Sequence, residues 1–319
     1  MAGAIPGGLR LPLMNLHVAS TGFEVGFGRS AANEAFGVPV SVLGGEEIEA
    51  VFADAAPSGG EAGFQLFRRE GMLIGAVSEP IEDDLNAQTR RIYARLLAVT
   101  RGRHLVRIWN YVPRINAEGR DGVENYRAFC RGRSLAFETV FGDRPALHLP
   151  AASAVGGPDD QLAVIFVATD AAPRHVENPE QVPAYEYPPE HGTRSPSFSR
   201  ATQVDVGGRR YVFVSGTAAI KGHATIAPAD LAGQIGCTLD NLRLISRACG
   251  LGDELGAESE WTRHFKIYLR HAGDHAAAEA ALAGRLLRAG DRVTWLHADI
   301  CRAALTIEIE ATLVSAGAV

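Results

Sequence analysis

In the stretch "ENYRAFCRGR", a tyrosine and an arginine, Tyr126 and Arg133, stand seven residues apart. Seven residues are close to two turns of an α-helix, so both side chains fall on one face. There a guanidinium offers a two-pronged donor and a phenol a single one, a set suited to a carboxylate. The same spacing also fits a tyrosine packed into the core beside a solvated arginine. The segment "DAAPRHVENPEQVPAYEYPPEHGTRSPSFSR" supplies more of these two types: Tyr185, Tyr187, Arg194 and Arg200. Loops this long in compact proteins tend to be functional.

Two further stretches can carry chemistry. In "VSGTAAIKGHATI", Gly216, Thr217, Ala218 and Ala219 are small, and Gly222-His223 follow. Small residues let a ligand approach the backbone closely. His223 is an acid/base candidate there or a solvated loop residue. Near the C-terminus, "DICRAALTIEIEATL" alternates polar and apolar residues, with Ile307, Ile309 and Ala311 on one face and Thr306, Glu308 and Glu310 on the other. On an edge strand these carboxylates would face water. Aimed into a pocket, a desolvated carboxyl becomes an acid or base. Cys301, followed at once by Arg302, reads as a small core residue or a reactive thiol.

These residues need a scaffold, and the hydrophobic pattern supplies one. "FQLFRREGMLIGAVSE" predicts two strands about a Glu70-Gly71 turn, "EDDLNAQTRRIYARLLAVT" a helix, and "HLVRIWNYVP" a strand. "GVENYRAFCRGRSLAFETVF" predicts a helix and "LAVIFVATD" a buried strand. The second half runs in the same order. "ATQVDVGGRRYVFVSGTAAI" gives two strands, and a helix from near Pro228 to Gly250 follows. Next come a strand in "TRHFKIYLRHA", a helix in "DHAAAEAALAGRLL", and strands in "RVTWLHADICR" and "LTIEIEATLV". Both halves place Arg-His before an alternating strand, at residues 103–104 and 263–264, so two diverged ββαβα-type units are expected. Residues 1–60 predict short strands and loops.

The chain has 319 residues, 46% hydrophobic and 21% charged, a globular composition. The net charge of -6 without a basic run argues against nucleic-acid binding, yet a few arginines can still hold a small anion. Cys130, Cys237, Cys249 and Cys301 form no C-x-x-C pair and suggest no disulfide framework. "MAGAIPGGLRLPLMNLH" does not read as a secretory leader, and no apolar run is long enough for a membrane span, so the cytoplasm is the expected location. No cofactor and no metal are expected, because no His/Asp/Glu cluster shows ligand spacing.

"YVFVSGTAAI", the helix containing "QIGCTLDNL" and the closing "IEIEA" resemble a RidA/YjgF-type unit. A closer resemblance rests on "ENYRAFCRGR", "LPAASAVGG", "ENPEQVPAYEYPPEHGTRSPSFSRA", "SGTAAIKGHAT" and "ADICRAALTIEIEA". Together, from about residue 118 to the C-terminus, these look like the chorismatases, which release pyruvate from chorismate; the first hundred residues match loosely. The resemblance implies an α+β fold of two diverged RidA/YjgF-like mixed-sheet units with helices packed on one face. Residues 1–170 would form the first unit, 171–200 a connecting loop contributing to the site, and 201–319 the second unit. Tyr126, Arg133, Tyr187 and Arg200 would bind the substrate's two carboxylates, each arginine with a phenolic partner. Glu308 would protonate the enolpyruvyl methylene carbon, and Glu310 would line the pocket's edge.

In this family, by the same resemblance, Gly at position 216 and Cys at position 301 mark the branch that forms 3-hydroxybenzoate, with room for 4-hydroxybenzoate. Cys301 would then assist loss of the ring proton. The alternatives are the hydrolytic branch, giving a dihydroxycyclohexadiene carboxylate, a RidA-type imine deaminase, and a metabolite-binding module without catalysis. Simple RidA units are trimers, whereas two repeats in one chain favour a monomer with one site between them.

Overall fold

The computed structural model describes residues 22–28, 35–157, 160–257 and 261–317. The N-terminal stretch read for a leader lies outside them. In chain order the strands before the first helix are β1 (Phe23–Phe27), β2 (Phe36–Val38), β3 (Ser41–Gly45), β4 (Ile48–Phe52), β5 (Ala56–Glu61), β6 (Phe64–Arg69) and β7 (Met72–Pro80). Then come α1 (Leu85–Val99), β8 (His104–Pro113), α2 (Asn125–Phe141), β9 (Ala151–Gly157) and β10 (Gln161–Thr169). The remainder is β11 (Arg174–Val176), β12 (Ala201–Val206), β13 (Arg209–Thr217), β14 (Ile220–Lys221), β15 (Ala224–Thr225), α3 (Leu231–Ala248), β16 (Trp261–Leu269), α4 (His275–Leu282), β17 (Arg292–His297) and β18 (Ile307–Ser315). No described helix is long and apolar enough to cross a membrane.

Two large sheets dominate, ordered β5-β6-β7-β10-β8-β9 and β11-β12-β13-β18-β16-β17-β3. The run β6-β7-β10-β8-β9 repeats as β12-β13-β18-β16-β17, with β8–β9 and β16–β17 the parallel pairs in each. The chain is therefore a duplicated ββαβαββ unit of α+β class. Residues before position 60 serve both halves: β5 extends the first sheet, β3 the second, and β1, β2 and β4 form a small third sheet.

Alternation along the strands sorts side chains into layers. On β7, Met72, Ile74 and Ala76 join a core between the two large sheets, while Leu73 and Val77 face α1 and α2. On β18, Ile307, Ile309, Ala311 and Leu313 pack under α3 and α4, which leaves Glu308 and Glu310 on the opposite, inter-sheet side. The order is helices, sheet, sheet, helices. Each fully buried Ile, Leu or Phe stabilises this stack by about 1.5–3 kcal/mol.

Two expectations are corrected, one alternative is decided and one element is new. β18 is no edge strand: β13 pairs with one side and β16 with the other, and both its glutamates are buried. "ADICR" is not strand, because β17 stops at His297 and the chain turns through Asp299–Ala304. The helix after β16 is short; it ends at Leu282, before Gly284 at φ +70°. "LPAASAVGG" contains β9, which no pattern of large apolar residues announced.

The inter-sheet layer contains a buried charge cluster. Arg107 Nη2 on β8 meets Glu310 Oε2 on β18 at 2.6 Å, and Trp109 Nε1 donates to Glu310 Oε1 at 2.8 Å. Lys266 Nζ lies 2.9 Å from Glu310 Oε1 and 2.6 Å from Glu49 Oε2. Burial alone would raise the Glu310 carboxyl, but Lys266 and Arg107 more than offset it and hold the group below its usual range. Truncating Glu310 would leave two desolvated cations facing one carboxylate. Glu310→Ala is therefore expected to cost about 3–5 kcal/mol of unfolding free energy in a neutral-pH urea titration. A loss under about 1 kcal/mol would contradict this role.

Candidate active site

Helix α2 brings Tyr126 and Arg133 to the inter-unit boundary. It can lie tightly against α1 because Gly132 is there: a Cβ at that position would come within 2.3 Å of the Asn86 carbonyl oxygen. Arg133 is buried, donates from Nη2 to the Ser197 carbonyl, and sits 5.5 Å over the Tyr93 ring. Its aromatic partner is thus Tyr93, not Tyr126 as expected. Burial and the neighbouring Cys130 and Cys301 sulfurs push the Tyr126 hydroxyl well above its usual range, so it stays a neutral donor.

A cavity of about 460 Å³ opens between the units. Tyr126, Tyr187, Arg200, Gly216, Cys301 and Glu308 line it, with Phe198 and Arg302. A second, small cavity of about 30 Å³ borders Arg133, Cys130 and Ser153 and shares Tyr126, Gly216, Cys301 and Glu308 with the first. All seven residues singled out as substrate-binding or catalytic therefore line one or both of these two neighbouring cavities.

The pairing of β13 with β18 slips between Val214 and Thr217, so Ser215 and Gly216 oppose the single residue Glu310. Such a bulge re-aims neighbouring side chains. Here it lays the Glu308 carboxyl against the Gly216 backbone: a Cβ on Gly216 would fall 2.0 Å from Glu308 Oε1. Glu308 is 3% exposed, and its Oε1 has no hydrogen-bond partner among the described residues. Burial first, and the nearby Glu310 second, push it up to about 8, against the pull of Arg107 and Arg200. A carboxyl pushed up this far favours its protonated form at neutral pH.

Opposite stands a cationic wall. Arg200 Nη2 donates to the Tyr187 hydroxyl at 2.8 Å, and the guanidinium lies 5.0 Å over the Phe198 ring. Its nearest carboxylate oxygen, in Glu177, is 4.0 Å away, and burial pushes Glu177 up to about 7, so Arg200 is only partly neutralised. Arg302 lies 5.4 Å over Tyr187 and donates to the His223 carbonyl at 2.8 Å. The Nε atoms of Arg133 and Arg200 are buried without a hydrogen-bond partner among the described residues, the latter 4.0 Å from Glu177 Oε2. Buried donors left unmatched beside a cavity are the mark of a site that binds an anion.

Cys301 reaches the cavity from the turn between β17 and β18. Arg270 fixes that turn by donating to the carbonyls of Leu305, Ile300 and Arg302. Burial and the adjacent Glu308 push the Cys301 thiol up to about 12, so it is a neutral thiol and no resting base.

Other candidates go elsewhere. Arg194 makes a surface ion pair with Glu138 at 2.9 Å, and Tyr185 packs on the first unit's helix-side core. Glu310, expected at the pocket's edge, belongs to the buried charge cluster. Arg302 and Phe198 were missed; both flank residues already singled out, which is the only signal the sequence offered. His223 meets His191 and Glu190 at the cavity mouth, a cluster that residue spacing did not reveal.

Comparison with known proteins identifies the family. The family described as chorismatase FkbO/Hyg5-like, N-terminal, matches residues 51–168. A chorismatase of Streptomyces rapamycinicus is 36% identical over 262 residues, 79% of this chain and 78% of its own. The chain belongs to the chorismatase family. A 3-hydroxybenzoate synthase of Streptomyces hygroscopicus is 36% identical over 214 residues, a match that spans 64% of this chain and 62% of the synthase. A crystal structure of a chorismatase superposes over 95% of both chains with a TM-score of 0.79 at 28% identity. Within this family fold, the charge state of Glu308 is directly observable. At pH 7 the protein is expected to show infrared carbonyl absorption of buried carboxylic acid, and the component that fades as pH rises through about 8, above the Glu177 component near 7, should be lost in Glu308→Gln. An unchanged band in the variant would assign it to another group.

Proposed function

We propose that the chain converts chorismate to 3-hydroxybenzoate and pyruvate, with Glu308 as the acid. The observation that carries the reading is the buried Glu308 carboxyl, without a hydrogen-bond partner among the described residues, held over Gly216 and bordering both the cavity lined by Arg200 and the small one lined by Arg133. Chorismate has two carboxylates, and the two guanidiniums supply a site for each, with the Tyr187 and Tyr126 hydroxyls as further donors.

Glu308 gives its proton to the enolpyruvyl methylene carbon, and the adjacent ether carbon becomes an oxocarbenium centre. The neighbouring ring hydroxyl then attacks the ring carbon that bears the ether, loses its proton to the Glu308 carboxylate, and expels pyruvate with the ether oxygen. The resulting epoxide opens, the ring sheds a carbon-bound proton, and the ring oxygen gains one. The two products hold all atoms of chorismate, so no co-reactant enters. Cys301, as a neutral thiol, relays the ring proton: its S–H proton passes to the oxygen freed as the epoxide opens, and the sulfur takes up the proton that the ring carbon sheds. Both halves of one chain contribute walls to the cavity, the arrangement that a working monomer needs.

Gly216 favours this branch because the carboxyl occupies the space that an alanine methyl would fill. Alanine there moves the acid relative to the ring and lets water compete for the cation.

Glu308→Gln is expected to slow pyruvate release by about 10²–10⁴-fold. The wild-type rate should fall about tenfold per pH unit above about 8, since the active form is the protonated one. Unaltered turnover in Glu308→Gln would remove it from the mechanism. Arg200→Ala should lower kcat/KM by the equivalent of about 2–5 kcal/mol. Chromatography of the products decides the branch: an aromatic acid is expected, more diene diol from Gly216→Ala, and a diol as the main wild-type product would overturn the assignment.

A further inference from the structure

The mouth of the cavity holds a group that the proposed chemistry does not use. Glu190 and His191 belong to a one-turn 3-10 helix, Pro189–His191, in the connecting loop. His223 lies 32 residues further on, in the turn between β14 and β15. His191 Nε2 and His223 Nδ1 are 3.0 Å apart, and Glu190 Oε1 is 3.5 Å from the first and 3.4 Å from the second.

We propose that Glu190, His191 and His223 form a binding site for a transition-metal ion of the Zn2+ class, and that the ion latches the connecting loop across the cavity mouth. The triangle of donor atoms carries the argument. A tetrahedral ion with ligands at about 2.0–2.1 Å holds them about 3.3 Å from one another, so these three atoms already match one face of such a shell. Two imidazoles and one carboxylate suit Zn2+, Co2+ or Ni2+ and disfavour Mg2+ and Ca2+, which prefer oxygen shells.

The site is also held in place. Arg302 fixes the His223 carbonyl at 2.8 Å, and the Gly222 backbone N–H donates to the Glu180 carbonyl at 3.0 Å, which ties the turn to the loop. The histidines now share one hydrogen bond. Binding replaces it: the ring that donates shifts its proton to the other nitrogen, and both facing nitrogens become ligands. The side chains of Glu190 and His223 are 65% and 38% exposed, so an ion can enter from solvent. Arg302 and Arg127 both act on His191, which opposes a cation and sets a weaker affinity than that of a closed structural site. Three ligands leave a fourth position for water.

The test uses the metal-stripped full chain. Calorimetric titration with ZnCl2 should give one ion per chain, weakened by roughly tenfold or more in both His223→Ala and Glu190→Gln. Co2+ should give the visible bands of a four-coordinate nitrogen and oxygen shell without a thiolate charge-transfer band. Equal affinity in wild type and both variants, or a thiolate band, would overturn the site. Circular dichroism of the metal-free variants separates lost ligands from lost folding. One equivalent of Zn2+ should slow pyruvate release by the wild type, with recovery on chelation; no slowing at saturation would overturn the latch.

Discussion

The Arg107–Glu310 pair is the contact on which the rest depends. It joins β8 of one sheet to β18 of the other in the layer where the two sheets meet. Desolvating two such charges is costly and is offset only by close geometry and further hydrogen bonds. Both are present: Trp109 and Lys266 complete the Glu310 carboxylate, while Ser153 and the Val214 carbonyl accept from Arg107. Arg107, Lys266, Glu310 and Glu49 together carry no net charge. This neutral cluster fixes β18 in register, and with it the acid two residues upstream.

Duplication explains why this chain builds one such site and not two. Pairing sets Lys266 opposite Glu310 and Tyr268 opposite Glu308, while in the first unit Arg107 stands opposite Val167 and Trp109 opposite Ile165. A register shift at Val106 brings Arg107 to the position that Lys266 holds in the second unit. Equivalent strands therefore carry two cations, but only β18 carries the two carboxylates. In β10 the same places hold Ile165 and Val167, which fill the inter-sheet core. The first unit supplies a wall and a counter-cation, and the second supplies the acid.

Local pattern made much of this legible. Period-two alternation located β8 and β18, an apolar run located β10, a Gly-Gly turn located β12 and β13, helical spacing located α1, α2 and α3, and the repeated order of elements announced the duplication. Tyr126 and Arg133 could be placed on one helix face from spacing alone, whereas the roles of Glu308, Gly216 and Cys301 entered through resemblance. What stayed hidden is long-range. Glu310 and Arg107 are 203 residues apart, and nothing local marks them as partners. The strand β9 is built from small residues with no alternating signal, and the Tyr93 partner of Arg133 comes from another helix. The cluster of Glu190, His191 and His223 depends on a loop crossing a turn, which spacing does not encode.

Glu308 and Glu310 share a face of one strand and a nearly equal burial, yet their protons go opposite ways. Glu310 is flanked by two cations at contact distance and is held ionised. Glu308 feels Arg107 and Arg200 without a contact, and desolvation wins. The ionised neighbour adds to that outcome, so the structural carboxylate helps to keep the functional one protonated. A bound dicarboxylate would act in the same direction by engaging the guanidinium of Arg200 and adding negative charge to the cavity. In the proposed reaction, substrate entry would therefore strengthen the hold of Glu308 on its proton until the enolpyruvyl carbon takes that proton away.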